Sequence, residues 1–210
     1  MKRNSLSRRL FLSSAVWTLL VLPLAGAVLI SLYRDAVERS FDARLNQYLE
    51  YLIAITSPDQ GIDIAEPGSL GEPLFSLPSS GWYWEIRSAG GAPVTYKSVS
   101  LVSENLKFPS EAGAVPDETE IRKAYLAGPE NQALRVLERE ITISQKDQQR
   151  RYVYAVAGDA SEIEDEVGAF GTMLAVAFAI LGAGLLIATF FQVKFGLRPL
   201  HEISEQLAPF

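Results

Sequence analysis

Residues 10–33 read LFLSSAVWTLLVLPLAGAVLISLY, which is 24 residues without a charged side chain. A second uncharged segment, residues 168–193, has 26 residues. An α-helix rises about 1.5 Å per residue, so roughly 20 apolar residues cross the hydrocarbon core of a bilayer. Neither segment has a polar face, which disfavours a helix lying on the membrane surface. The sequence therefore predicts transmembrane helices at residues 10–33 and 168–193, with a domain at residues 34–167 between them.

The charges beside these segments predict their orientation. Residues 1–9 contain four basic and no acidic side chains, and Lys194 and Arg198 follow the second segment. Residues 34–168 carry 13 basic and 23 acidic side chains. Because short basic segments stay in the cytoplasm, we expect residues 1–9 and 194–210 on the cytoplasmic side of the membrane and the acidic domain on the outside. The acidic charge disfavours a nucleic-acid partner.

An export signal is the alternative interpretation of the N-terminus. Residues 7–12, SRRLFL, resemble a twin-arginine signal, and Ala25-Gly26-Ala27 resembles a signal-peptidase site. The apolar segment nevertheless continues to Leu32, and its 24 residues exceed the roughly 7–15 of a signal-peptide core. A helical pattern follows it, so we favour an uncleaved span.

The first span is predicted to continue into the domain as a helix. Apolar side chains recur there at intervals of three or four residues, at Val37, Phe41, Leu45, Tyr48, Leu52 and Ile55. This spacing gives one apolar stripe along an α-helix. The stripe either packs on its own domain or also pairs with a second copy of the chain, and the sequence leaves both alternatives open.

Alternating apolar residues then predict antiparallel strands. Residues 81–87 alternate so that Trp82, Trp84 and Ile86 share one face, and residues 93–99 form the returning strand. Residues 134–143 and 151–157 predict a second pair of strands around a polar turn. We expect a short helix at residues 118–126. The predicted fold class is therefore α+β.

The last helix has a recognisable start. Ser161 with Glu164, or equally Asp159 with Glu162, forms a capping box in which two side chains bond backbone amides at a helix N-terminus. Glu162 and Glu164, together with Asp165 and Glu166, form an acidic cluster just outside the second span. Acidic residues favour the first turn of a helix, which is the simplest explanation. The alternative is a weak ligand or cation site at Glu162, Glu164, Asp165 and Glu166.

No catalytic residue and no metal site are predicted in the domain. Residues 34–168 contain neither histidine nor cysteine, which removes the usual zinc ligands, the imidazole base and the thiol nucleophile. The aromatic group Trp82-Tyr83-Trp84 is interpreted first as core or as a membrane-interface anchor, and second as a ligand pocket.

The C-terminal residues suggest a signalling linker. After the span, Arg198-Pro199-Leu200 precedes apolar residues at Ile203, Leu207 and Phe210, spaced as in a coiled-coil seam. This run resembles the first helix of a HAMP linker. With a short basic N-terminus, two spans and a middle-sized exterior domain, the chain resembles the input half of a bacterial two-component sensor histidine kinase.

The resemblance implies a function and partners. It implies a homodimeric membrane receptor with a PAS-like exterior domain, and signal transmission through Pro199, Leu200, Ile203 and Leu207. Output would come from a protein-histidine kinase module beyond Phe210, where ATP and magnesium are expected, and would reach a response regulator. HAMP linkers also serve methyl-accepting receptors and cyclases. The alternative from another class is a stand-alone membrane-anchored adaptor or assembly protein without a kinase. The exterior ligand is not predicted.

Overall fold

The computed structural model describes residues 5–58, 64–67, 70–89, 94–145 and 148–196. The chain divides into two compact units, Ala36–Asp165 on the one hand and Met1–Asp35 with Glu166–Phe210 on the other. The elements form an α+β chain, which confirms the predicted class: a long N-terminal helix, an antiparallel sheet and a long C-terminal helix.

The helices are α1, Ser5–Thr56, and α2, Ser161–Gly196. Both are long enough and apolar enough to cross a membrane, with mean hydropathy of 2.3 and 2.5 over their most apolar windows. In the unit that contains their apolar parts, Tyr33 stacks on Phe170 with ring centroids 4.1 Å apart. Gly26 leaves room for the Phe178 ring, because a Cβ on residue 26 would lie only 3.3 Å from Cε2 of Phe178. Most large apolar side chains of these segments are exposed, as suits a lipid environment.

The other unit contains a five-stranded antiparallel sheet. Its strands are β1 Tyr83–Ser88, β2 Val94–Lys97, β3 Ile121–Ala127, β4 Ala133–Gln145 and β5 Gln148–Asp159. They lie in the order β2-β1-β5-β4-β3. The strand predictions for residues 134–143 and 151–157 are confirmed, and the strand predicted at residues 93–99 is found at Val94–Lys97, with residue 93 outside the described residues. The intervening turn residues 90–92 and 146–147 lie outside the described residues.

One face of the sheet is covered by the C-terminal half of α1. Phe41, Leu45 and Leu52 of the predicted stripe are buried there, and Leu49 joins them. Gly158 of β5 gives room for this contact, because a Cβ on it would lie 2.7 Å from Cζ of Phe41. The stripe therefore packs on its own domain, as one of the two alternatives predicted.

The opposite face is covered by irregular chain, residues 98–116, which includes the 3₁₀ helices Val99–Leu101 and Pro109–Ala112. Its apolar side chains Leu101, Leu106 and Phe108 pack in a core cluster with side chains of the sheet, including Tyr83, Leu134, Val136, Ala155 and Ala157. We call residues 98–116 the cover loop.

Two buried glutamates hold the cover loop. Glu85 accepts a hydrogen bond from the backbone amide of Leu106 at 2.6 Å, and Glu138 accepts one from the amide of Ser110 at 2.7 Å. Arg87 and Arg122 balance their charges, with N–O distances of 2.5 and 3.2 Å. The carboxylates therefore satisfy amides that this irregular segment cannot pair with its own backbone.

One sequence-based expectation was wrong. The segment predicted as a helix, residues 118–126, contains strand β3, because its residues pair with β4 from Ile121 to Ala127 and this tertiary contact overrides local propensity. The strand predicted at residues 81–87 is present as β1, and both of its faces are buried, with Tyr83 and Glu85 as inaccessible as Ile86. The reason is that the cover loop and α1 enclose the sheet from both sides.

Candidate functional site

A cavity of about 380 Å³ opens beside the edge of the sheet formed by β1 and β2. Trp84 of β1 and Tyr96 of β2 contribute aromatic walls, and Phe75 comes from the 3₁₀ helix Pro73–Ser76, which Pro73 starts with its fixed φ. The full lining is Glu66, Pro67, Leu70, Glu72, Phe75, Ser76, Trp84, Tyr96, Lys97 and Val99. We call this space the edge pocket.

The edge pocket contains two carboxylates and one ammonium group. Oε2 of Glu72 accepts a hydrogen bond from the Tyr48 hydroxyl at 3.0 Å, while Glu66 is exposed to solvent. Burial, and then this bond to Glu72, raise the pKa of Tyr48. Lys97 turns its ammonium to the cover loop, where Nζ donates to the Glu104 carbonyl oxygen at 2.8 Å. The carboxylates therefore dominate the charge that the pocket offers to a ligand.

Behind the edge pocket lies an aromatic cluster, Phe41, Tyr48, Phe75 and Trp82. The ring contacts continue inward from the pocket wall: the ring centroid of Phe75 is 5.3 Å from that of Tyr48 and 6.1 Å from that of Trp82. Trp82 is in turn 5.7 Å from Phe41. Most of these pairs are edge-to-face, the arrangement that the ring quadrupole favours. The cluster joins the pocket to the buried face of α1.

The aromatic cluster ends at the start of α2. Both carboxylate oxygens of Glu162 are used: Oε1 accepts from the Trp82 indole N–H at 3.0 Å, and Oε2 from Nη2 of Arg44 at 2.5 Å. The Arg44 guanidinium also lies over the Trp82 ring, 4.5 Å from its centroid. One side chain of α2 is thus bonded both to α1 and to Trp82, the residue that precedes β1.

The four residues of the predicted acidic cluster have different partners. Glu162 is engaged by Arg44 and Trp82, whereas Glu166 accepts a hydrogen bond from Tyr33 at 3.0 Å. Glu164 and Asp165 are exposed. Within the described ranges, no three His, Cys, Asp or Glu side chains are placed to hold a metal ion.

The start of α2 resolves the two predicted capping boxes. Asp159 accepts the amide of Ser161, the first helical residue, at 2.9 Å. The amide of Glu164 instead approaches the Ala160 carbonyl. Asp159 therefore caps the helix by bonding the Ser161 amide, whereas the carboxylate of Glu162, its partner in the predicted box, accepts from Trp82 and Arg44.

The structure separates the aromatic group that the sequence singled out. Trp82 belongs to the aromatic cluster, Trp84 lines the edge pocket, and Tyr83 belongs to the core cluster under the cover loop. Sequence reasoning missed Arg44 and Glu72. For Arg44 a signal existed, since it precedes Tyr48 of the apolar stripe by four residues and so shares its side of the helix. The predicted transmission residues Pro199, Leu200, Ile203 and Leu207 lie outside the described residues.

Comparison with protein-family models, with curated proteins and with solved structures finds no match for this chain.

Proposed function

We propose that this chain is the input half of a bacterial membrane signal receptor of the sensor histidine kinase type. The observation that carries the proposal is the bonding of Glu162, which joins the first turn of α2 to Arg44 of α1 and to Trp82, the residue that precedes β1. A domain that holds the first turn of an apolar helix in this way has a direct mechanical connection to that helix.

The proposed topology has spans at residues 10–33 and 168–193 in the inner membrane, both termini in the cytoplasm, and an uncleaved first span. Two observations support it: α1 and α2 are each continuous helices that contain an apolar segment, and the segments at the outer ends of the pair are basic whereas residues 34–168 carry a net acidic charge. A long helix on an antiparallel sheet supports a PAS-like exterior domain.

In the proposed mechanism, a signal shifts β1 relative to α1. Trp82 moves with β1, and Glu162 follows because it accepts hydrogen bonds from both Trp82 and Arg44. The change reaches α2 and, in a homodimer, passes through a HAMP-like linker at residues 194–210 to a kinase module and its response regulator. ATP and magnesium belong to that module.

The test begins with the gene. We expect its reading frame to continue past codon 210 into a phosphoacceptor helix and a nucleotide-binding domain, and membranes containing the whole product to incorporate phosphate from ATP on histidine. An in-frame stop codon at residue 211 would contradict the proposal.

The connection itself is tested by Glu162→Gln in the whole product. We expect a changed basal phosphorylation rate, since the amide keeps the shape of the side chain and loses the charge that binds Arg44. The matched control is Asp165→Asn, which removes the same charge from an exposed position in the same helical turn. Equal rates for both variants would contradict the proposed transmission.

A further inference from the structure

We propose that the edge pocket binds a small organic cation of the ammonium type. We further propose that binding of this cation changes the contacts that hold Glu162. The regulatory half of this inference rests on the proposed receptor function; the binding half does not. A cavity of about 380 Å³ falls in the lower part of the range of small-molecule sites, about 300–1,000 Å³.

The walls of the edge pocket suit a cation. Phe75, Trp84 and Tyr96 come from three different elements and present aromatic surface to one space. The face of an aromatic ring is electronegative, so an ammonium group within about 6 Å of it is attracted. Phe75 and Trp84 are buried and Tyr96 is half-buried, so these rings are held in place before a ligand arrives.

The charges in the pocket select against the alternatives. An anion would meet Glu66 and Glu72, and the ammonium of Lys97 already donates to the Glu104 carbonyl. A neutral apolar ligand would cover carboxylates without compensating their lost hydration. Calcium takes six to eight oxygen ligands, more than these two carboxylates supply in a wall of aromatic rings. An organic cation uses both the rings and the carboxylates.

The edge pocket is connected to α2 through direct contacts. Glu72 is hydrogen-bonded to Tyr48, and Phe75 packs on both Tyr48 and Trp82. Trp82 donates to Glu162. A cation that draws Glu72 toward itself competes with the Tyr48 hydroxyl, so ligand binding changes the packing of the aromatic cluster that holds Glu162.

Calorimetry on the whole 210-residue chain in dodecyl maltoside micelles tests the binding. The probes are choline and propylammonium, each against a neutral counterpart of similar shape, 3,3-dimethylbutan-1-ol and butan-1-ol. We expect saturable binding of a cation at millimolar concentration or below and none of its neutral counterpart. The proposal is overturned if the neutral compounds bind equally well, or if neither cation binds at about 10 mM, a concentration that would detect even a weak site.

Variants locate the site. We expect Glu72→Gln to weaken binding of the cation about tenfold, whereas Glu104→Gln, the same charge change outside the pocket, leaves it unchanged. Tyr96→Leu should weaken binding and Tyr96→Phe should restore it, because only the second keeps an aromatic face. Equal weakening by Glu72→Gln and Glu104→Gln, or binding unaffected by Tyr96→Leu, places the cation elsewhere and overturns the proposal.

The regulatory half has its own readout, phosphate incorporation by the whole gene product with and without the cation that binds. A changed rate supports it, and this change should disappear in Glu72→Gln. Binding without any change in rate rejects regulation and retains the site. A kinase that is active while the chain binds neither cation rejects the site and retains the receptor function.

Discussion

The two faces of the sheet are covered in different ways. On one face lies a helix, whose side chains Leu45, Leu49 and Leu52 are completely buried. On the other lies the cover loop, beneath which Glu85 and Glu138 are 0% and 1% exposed. A helix pairs its own amides and needs only apolar contact from the sheet, whereas an irregular segment brings amides that require acceptors.

This difference assigns different roles to the faces. The cover loop is fixed by charged hydrogen bonds that are costly to break once buried. The helix face is joined by apolar and aromatic contacts together with ion pairs from β4 to α1, of Arg135 with Asp42 and of Arg139 with Glu50. It also contains the aromatic cluster and the ion pair of Arg44 with Glu162. We infer that the loop face provides rigidity and that the helix face is where a change can occur.

The largest effect is expected from Glu85→Ala. It leaves the buried amide of Leu106 without its acceptor and the Arg87 guanidinium without its buried partner. We expect the free energy of unfolding to fall by about 4 kcal/mol, measured by urea denaturation of the chain in micelles. Glu140→Ala is the control, because its pair with Arg151 is solvent-exposed and contributes less than about 1 kcal/mol. Equal losses would show that the buried carboxylate does not hold the loop.

On the helix face, Leu49→Ala should lower the free energy of unfolding by about 3 kcal/mol, because it removes buried apolar surface and leaves a cavity. Tyr51→Ala on the same helix removes a half-exposed side chain and should cost much less. If the two variants unfold at the same urea concentration, α1 does not pack on the sheet through this stripe.

A pair of glycines compares a closely packed position with an open position of the cover loop at similar backbone geometry. Gly81, beside the start of α2, and Gly113, at the end of a 3₁₀ helix in the cover loop, have φ of +83° and +79°. A Cβ at Gly81 would lie 2.8 Å from Cβ of Asp159, whereas nothing lies within 4 Å at Gly113. We expect Gly113→Ala to lose about 1 kcal/mol and Gly81→Ala about 2 kcal/mol in urea denaturation. A larger loss at Gly113 would contradict the packing described at Gly81.

The smallest effect concerns pH. A hydrogen bond from the Thr119 hydroxyl, then Lys123 and backbone amides, hold the pKa of Asp117 well below its usual value of 3.8. The folded state therefore binds fewer protons than the unfolded state at low pH, so this contribution is complete above about pH 4 and is lost as the pH falls. We expect Asp117→Asn to reduce the loss of stability between pH 6 and pH 3, and Glu118→Gln to leave it unchanged. An unchanged pH profile in Asp117→Asn would contradict this assignment.

The same contrast explains how much of the fold could be predicted. The stripe from Val37 to Ile55 and the strands β4 and β5 follow from local periodicity, because each buries side chains at the spacing of its own element. The buried positions of Glu85 and Glu138 could not be predicted, because a glutamate in a strand suggests a solvent-facing position. The backbone amides that these two carboxylates bind lie 21 and 28 residues away along the chain.

The edge pocket could not be predicted either. Glu66, Leu70 and Glu72 lie in a segment rich in proline and glycine that has no periodicity, so only tertiary contacts determine where its side chains meet Trp84. The aromatic residues at 82–84 were recognised as notable. The strand alternation separates Tyr83 from the two tryptophans, but which tryptophan lines the pocket depends on where residues 66–76 pack.

The central claim, that the acidic domain lies across a membrane from both ends of the chain, is tested most directly by single-cysteine labelling. The chain has no cysteine, so Val115→Cys, at a side chain 82% exposed, and Asn4→Cys each give one thiol. In bacterial spheroplasts, an impermeant maleimide should label Val115→Cys at once and Asn4→Cys only after permeabilisation, with the label on the full-length chain. Labelling of Asn4→Cys from outside, its loss from the mature chain by cleavage, or protection of Val115→Cys until lysis would contradict the account.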